Sequence, residues 1–393
     1  MEPDARDRAS PFLIMAMKQT FTFSAPGRTE ISGNHTDHQH GCVLAAAVNL
    51  ETTAQVTLNG SNVIRVFSEG YAPVEIDLKD LSIHENEKNT TAALVRGVAA
   101  AFVKRGAALS GFDANVRSTV LPGSGLSSSA AFEVLMGTIC NELFFEKKLT
   151  AVEIAQIGQW AENVYFGKPC GLMDQTASAV GGMVLIDFKD PEKPVVEKLD
   201  FDFSKVGHAL CIIDCGADHA DLTGEYAAIP GELQQICRFF WKDALRDIPE
   251  EHFFGHLSWL RGQVPDRALL RAIHFYQENK RVQQQAQALK NGDFDGFLRL
   301  VRESGRSSWM YLQNITPAGA VDHQEMALAL AMCDTLLGGK GAYRVHGGGF
   351  AGTVQAFVPM DLLEQFRSGM EEVFGSGCCH VLSIRSEGGI RIS

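Results

Sequence analysis

A chain of 393 residues is too long for one ordinary core and too short for more than three, so two domains are expected. Hydrophobic residues at 45% and charged residues at 21% exclude a disordered or collagen-like chain. The formal charge of −12, with no Lys/Arg block in the sequence, argues against a nucleic-acid partner, although backbone N–H groups can still hold phosphate.

Residues 1–18 read as a loose leader, because the apolar stretch Pro11 to Met17 is short and Asp4 and Asp7 dilute its basic flank. From Phe21 the chain alternates strand-like and helix-like stretches. Strands are expected at Gln55–Leu58, Val63–Phe67 and Phe112–Val120, with a helix over Leu94–Lys104 between them. After a sharp turn at 121–125, a helix is expected from Ser128 to Glu146, with Ala131, Leu135, Ile139 and Leu143 at helical spacing. A second helix opens on the capping box Thr150-x-x-Glu153 and runs through Glu162, and a third follows Gly171 and stops at Gly181-Gly182. Met183–Phe188 and His208–Asp214 read as strands, Arg238–Ala244, Phe294–Ser304 and Gln324–Leu336 as helices, and Tyr343–Val345 and Thr353–Val358 as strands around a Gly-rich turn. The nine cysteines are scattered with no C-x-x-C pair, so a cytoplasmic setting is expected. No apolar run reaches the length of about 18 residues that a membrane span needs.

Four motifs carry chemistry. Pro122-Gly123-Ser124-Gly125-Leu126-Ser127-Ser128-Ser129-Ala130 lies between a strand and a helix, where glycines allow close approach and a helix N-terminus attracts an anion. It lacks the Gly-Lys-Ser/Thr of a Walker loop, and a serine-capped turn is the plain alternative. Cys170-Gly171-Leu172-Met173-Asp174-Gln175 puts Asp174 in the first turn of a helix, where it is either a helix-end charge or a base for an attacking hydroxyl. Glu162, on the preceding helix, can supply an oxygen to Mg²⁺ or simply face solvent. Gly27-Arg28 followed by Gly33-Asn34-His35-Thr36-Asp37-His38-Gln39-His40-Gly41 crowds hydrogen-bonding side chains between glycines, as a sugar site requires. Its three histidines and Asp37 also suggest a metal centre, but no second cluster completes one. Gly347-Gly348-Gly349-Phe350-Ala351-Gly352 is a flexible hairpin or a place where a ligand approaches the backbone.

In order and spacing these motifs resemble the superfamily that includes galactokinase, homoserine kinase, mevalonate kinase and phosphomevalonate kinase. Gly27-Arg28 followed by Gly33-x-His35-Thr36-Asp37 resembles the galactokinase signature within it. The resemblance implies an α+β fold of two domains, residues 19–205 and 206–393, with the active site in the cleft between them. It implies phosphorylation of the anomeric hydroxyl of galactose by ATP with Mg²⁺; a kinase for another sugar, such as N-acetylgalactosamine, and a galactose- and ATP-sensing regulator are the alternatives. Arg28 would stabilise the ionised hydroxyl and Asp174 would take its proton. Asn34, His35, Thr36, Asp37, Gly171 and Tyr226 would hold the sugar. Gly123, Ser124, Gly125, Leu126, Ser127, Ser128 and Ser129 would cradle the triphosphate, Ser68 would line the nucleotide pocket, and Ser129 and Glu162 would bind Mg²⁺. A glutamate is usual where Asn34 stands, an asparagine where Glu30 stands, a tyrosine where His38 stands and a glycine where Ala351 stands. Monomer and dimer both stay open.

Overall fold

The computed structural model describes residues 19–120, 125–216, 222–350 and 352–393. The leader, Gly123, Ser124 and Ala351 lie outside them.

The chain starts with two long strands, β1 (Thr20–Ser32) and β2 (Cys42–Leu58), and continues through β3 (Val63–Ser68), β4 (Val74–Asp77), α1 (Thr91–Lys104) and β5 (Phe112–Ser118). Three helices follow, α2 (Ser128–Phe144), α3 (Ala151–Ala161) and α4 (Met173–Val180), and then the hairpin of β6 (Met183–Asp187) and β7 (Val195–Leu199). The expected capping box forms: Thr150 Oγ1 accepts from the Glu153 N–H, and Glu153 Oε2 from the Thr150 N–H at 2.8 Å. The first sheet has the order β1-β2-β5-β3-β4, all antiparallel except β3 against β5, with β6 and β7 added beside β2.

β2 extends far beyond the expected Gln55–Leu58. Its first half alternates between two cores: Val43 and Ala45 pack with Phe23, Phe102 and Leu135, whereas Leu44, Ala46 and Val48 pack with Leu210, Phe297 and Phe357. A strand covered on both faces loses the polar alternation by which a half-buried strand is read.

The second half opens with β8 (His208–Asp214), α5 (Thr223–Phe239), α6 (Glu250–Gly255), α7 (Leu257–Leu260), α8 (Asp266–Lys290), α9 (Phe294–Ser307) and α10 (Glu325–Leu337). It closes with β9 (Ala342–His346), β10 (Thr353–Pro359), α11 (Leu363–Phe374), β11 (Cys379–Leu382) and β12 (Ile390–Arg391). The second sheet runs β11-β8-β10-β9 and is antiparallel throughout, while β12 returns to the first sheet beside β1. The helix expected at Arg238–Ala244 is not there. α5 starts earlier, carries Pro230 inside, and ends at Phe239, after which Trp241 adopts a left-handed φ of 54°.

The 25-residue α8 has no counterpart among the expected elements. Arg271, His274, Glu278, Arg281 and Gln285 recur on it at helical spacing, and all five are buried. Its buried stripe is thus partly polar, the reverse of the pattern that marks a core-facing helix.

Candidate active site between the phosphate loop and the sugar loop

Arg28 is on β1 and Asp174 is in the first turn of α4. Gly27 lets the strand pass the phosphate loop, for a Cβ there would stand 2.9 Å from the Leu126 carbonyl oxygen. Arg28 Nε donates to Asp174 Oδ1 at 2.7 Å and Nη2 to Oδ2 at 2.5 Å, a two-pronged pair. The other prong of Arg28 donates to the Gly125 carbonyl, and its backbone N–H to the Leu126 carbonyl at 3.0 Å. Burial by itself would raise the Asp174 carboxyl; the Arg28 charge and the hydrogen bonds from Arg28 and Ser127 outweigh it and hold the group below its usual range.

Ser127, expected among the phosphate contacts, takes a left-handed φ of 59° and donates its hydroxyl to Asp174 instead. Leu126 is wholly buried in the core, so only its backbone is left to face a phosphate. Ser128 and Ser129, at the N-terminus of α2, line a pocket of about 320 Å³ with Ser68, Tyr71, Leu94 and Phe132. Because β3 runs parallel to β5, its end brings Ser68 to the same edge as the loop that follows β5. Gly125, with φ 70°, meets the second half of the chain, where a Cβ would stand 2.9 Å from Thr353 Oγ1.

The sugar loop, residues 33–41, is held from outside. Gly33, with φ 101°, donates its N–H to Glu278 Oε1 at 3.2 Å, and His274 Nε2 bonds to the Asn34 carbonyl at 2.9 Å. Asn34 is wholly buried: its Nδ2 donates to the Gly347 carbonyl at 2.6 Å and to Glu30 Oε1 at 3.3 Å, while its Oδ1 accepts from Asn314 at 2.8 Å and Ser308 at 3.3 Å. Asn34 is therefore corrected from sugar ligand to loop anchor, since its amide has no group to spare. Thr36 is corrected likewise, because it is wholly buried and the one hydrogen of its hydroxyl is shared by the carbonyls of Gly33 and Cys42 at 2.9 and 2.6 Å. His35 spends Nε2 on the Gly348 carbonyl at 2.9 Å and Nδ1 on His38 at 3.2 Å. Glu30 and Asn34, the two positions where the resemblance implies that carboxylate and amide are exchanged, touch each other at 3.3 Å.

Asp37 is only half-buried, packs against Gly171 just ahead of α4, and feels the charges of Arg28 and Asp174. Burial, with the charges of Glu30 and Asp174, pushes its carboxyl up to about 6 against the pull of backbone N–H groups. Gly171 makes this possible, because a Cβ there would collide with Asp37 Oδ2. Tyr226, on α5, donates its hydroxyl to the Gly349 carbonyl at 2.9 Å and lays its ring beside Gly348, where a Cβ would stand 2.6 Å from Cε1.

Glu162 opens a five-residue π-helical turn after α3 and is buried. Gln175 Nε2 donates to Glu162 Oε2 at 2.9 Å and to Glu133 Oε2 at 3.0 Å, and Lys168 stands 3.9 Å from Glu162 Oε1. Burial first, then neighbouring negative charge, raises both carboxyls. No three metal-ligating side chains converge among the described residues. The pair nevertheless fits a dication, for Glu133 Oε1 is buried with no partner and Ser129 lies one helical turn before it.

Glu133, Gln175, His274, Glu278 and Asn314 were not expected as part of the site. The spacing of Glu133 four residues after Ser129 on one helix was a usable signal; the others reach the site through tertiary contacts alone.

Residues 15–58 match the galactokinase galactose-binding signature and residues 93–182 the GHMP kinases N terminal domain. The fold is similar to galactokinase of Lactococcus lactis in a complex with galactose, at 22% identity over 95% of each chain and a TM-score of 0.81. It is also similar to mevalonate kinase of Methanococcus jannaschii, at 14% identity over 95% of this chain and 100% of that one with a TM-score of 0.67. A D-glycero-D-manno-heptose 1-phosphate kinase from Bacteroides thetaiotaomicron matches at 15% identity over 95% and 99%, with a TM-score of 0.64. Both matched segments lie on the loops and helices that build this site, and together with the shared fold they support galactokinase, within the GHMP superfamily, as the family that this chain resembles.

Proposed function

We propose that the protein transfers the γ-phosphoryl group of ATP to the anomeric hydroxyl of galactose. The observation that carries the reading is the Arg28–Asp174 pair: Arg28 bonds to the phosphate loop at Gly125, Ser127 of that loop bonds to Asp174, and Asp37 of the sugar loop packs against Gly171, three residues before Asp174. A sugar bound against Asp37 and Gly171 would lie beside Asp174, and a phosphate at the N-terminus of α2 would lie beside Arg28.

Asp174 stays ionised at neutral pH and keeps a spare lone pair on Oδ1, so it can accept the hydroxyl proton while Arg28 fixes its orientation. A carboxylate held this low is a weak base, which suits a loose transition state in which positioning and charge stabilisation carry most of the rate. Arg28 supplies fixed positive charge where negative charge develops. Ser129 and Glu162 would hold Mg²⁺, which when bound neutralises the phosphate oxygens. Ser68 and the pocket beside Ser128 would take the nucleotide.

All nine cysteines are free, which supports a reducing, cytoplasmic setting, and no helix among the described residues is long and apolar enough to cross a membrane. The test is a coupled ADP-release assay with Mg²⁺ and a panel of galactose, glucose, N-acetylgalactosamine and galacturonic acid. Galactose should turn over far faster than glucose, because a site that bonds an axial hydroxyl leaves polar groups unpaired when it is misplaced. Equal rates with both sugars would refute the assignment.

A further inference from the structure

Glu133 has no role in the reaction as described above. It is wholly buried on α2, yet no lysine or arginine forms an ion pair with it among the described residues, and its Oε1 has no partner. Its Oε2 and the Oε2 of Glu162 share one donor, the Gln175 amide, at 3.0 and 2.9 Å. A primary amide has two N–H groups, so a single side chain can hold both carboxylates at once. Gly158 on α3 leaves the room, for a Cβ there would stand 3.1 Å from Glu133 Oε2. Gln175 is also the residue after Asp174, so the clamp is fastened to the helix that presents the base.

A buried carboxylate oxygen with no partner, next to a second carboxylate, costs stability, and packing alone gives no reason to keep it. We propose that Glu133 and Gln175 are positioning residues for a divalent cation. Gln175 fixes the orientation of the Glu162 carboxylate, and Glu133 Oε1 accepts a hydrogen bond from the water shell that Mg²⁺ retains. The proposal rests on the reading of Glu162 as a cation ligand. It goes beyond it by making the buried Glu133 a determinant of cation affinity.

Mn²⁺ serves as the probe, its binding to the full chain followed by electron paramagnetic resonance with an unhydrolysable ATP analogue present. Glu133→Gln keeps the shape and removes the charge. It should weaken Mn²⁺ binding about tenfold, leave the galactose KM within about twofold, and leave the melting temperature of the metal-free protein unchanged or higher. Gln175→Met, which removes both donors, should weaken Mn²⁺ binding by a similar factor, and it keeps the test decisive if Glu133→Gln fails to fold. Unchanged Mn²⁺ affinity in these variants, with or without a lower melting temperature, would make the clamp purely structural and overturn the proposal. Glu162→Gln separates the two levels. If it too leaves Mn²⁺ affinity unchanged, the cation lies elsewhere and both readings fall. If it alone weakens binding, only the role of Glu133 and Gln175 fails.

Discussion

The carboxylates Asp174 and Asp37 lie close enough to feel each other's charge and are driven in opposite directions. Asp174 is held down by Arg28 and Ser127, whereas burial and the charges of Glu30 and Asp174 raise Asp37 to about 6. Asp174→Asn keeps the shape but takes no proton, so turnover should fall roughly 10²-fold or more while calorimetry still detects galactose binding; loss of binding with a lowered melting temperature would mark Asp174 as structural. If the Asp37 carboxylate accepts hydrogen bonds from the sugar, kcat/KM for galactose should fall about tenfold per unit as pH drops below about 6. Asp37→Asn should remove that inflection, and a retained inflection would assign it to another group. Asn34 makes a different demand. Its replacement by alanine takes one acceptor from the Asn314 amide, which keeps its bond to the Gly348 carbonyl, and removes the partners of the Ser308 hydroxyl and the Gly347 carbonyl, at a cost of about 1–3 kcal/mol for each group left unsatisfied. Thermal unfolding should register that loss, and an unchanged melting temperature together with a raised galactose KM would restore Asn34 as a ligand.

Among the elements, α8 does the least expected work, since its buried polar stripe is the scaffold of the sugar loop. Glu278 accepts from Gly33 N–H, Ser32, Ser304 and Arg281. Burial works to raise its carboxyl, but the charges of Arg281, His274 and Arg344 and the Ser304 hydrogen bond bring it down from 4.5 to about 2. The unfolded chain therefore binds this proton more readily than the folded one. The stabilisation is complete above about pH 4.5 and is lost as pH falls towards 2, on the order of 3 kcal/mol in all. Glu278→Gln should flatten urea-unfolding stability over that window while lowering it at neutral pH; the same acid slope in the variant would show that other groups carry it.

Across the whole molecule, the two sheets meet through a buried ion pair, Glu30 on β1 with Arg344 on β9 at 2.6 Å, and Arg344 also donates to the Ile31 carbonyl at 3.0 Å. Removing one partner of such a pair strands the other in a dry interior. Arg344→Met should cost about 3–5 kcal/mol in urea unfolding, and adding Glu30→Gln should recover a large part of it. Strict additivity of the two substitutions would show that the pair is not coupled. The same junction seats Gly125 against Thr353 and His346, so the contact that joins the sheets also sets the phosphate loop against the Gly-rich turn.

The sequence by itself determined the elements whose signals are local. The capping box at Thr150, the start of α2 at Ser128 and the strand at His208–Asp214 were all legible, because caps and turn residues act within a few residues, whereas Arg28, Asp37, Gly171 and Asp174 were named through the family resemblance. Tertiary structure decided the rest. β2 hides its length because both of its faces are buried, and α8 hides because its buried face is polar. Asn34 and Thr36 looked like sugar ligands because their side chains suit a hydroxyl, and only the fold, by surrounding them with Gly347, Asn314, Gly33 and Cys42, used those hydrogen bonds up. The link between Glu133 and Glu162 depends on one Gln175 amide reaching two helices at once, a three-body contact that no spacing along the chain encodes.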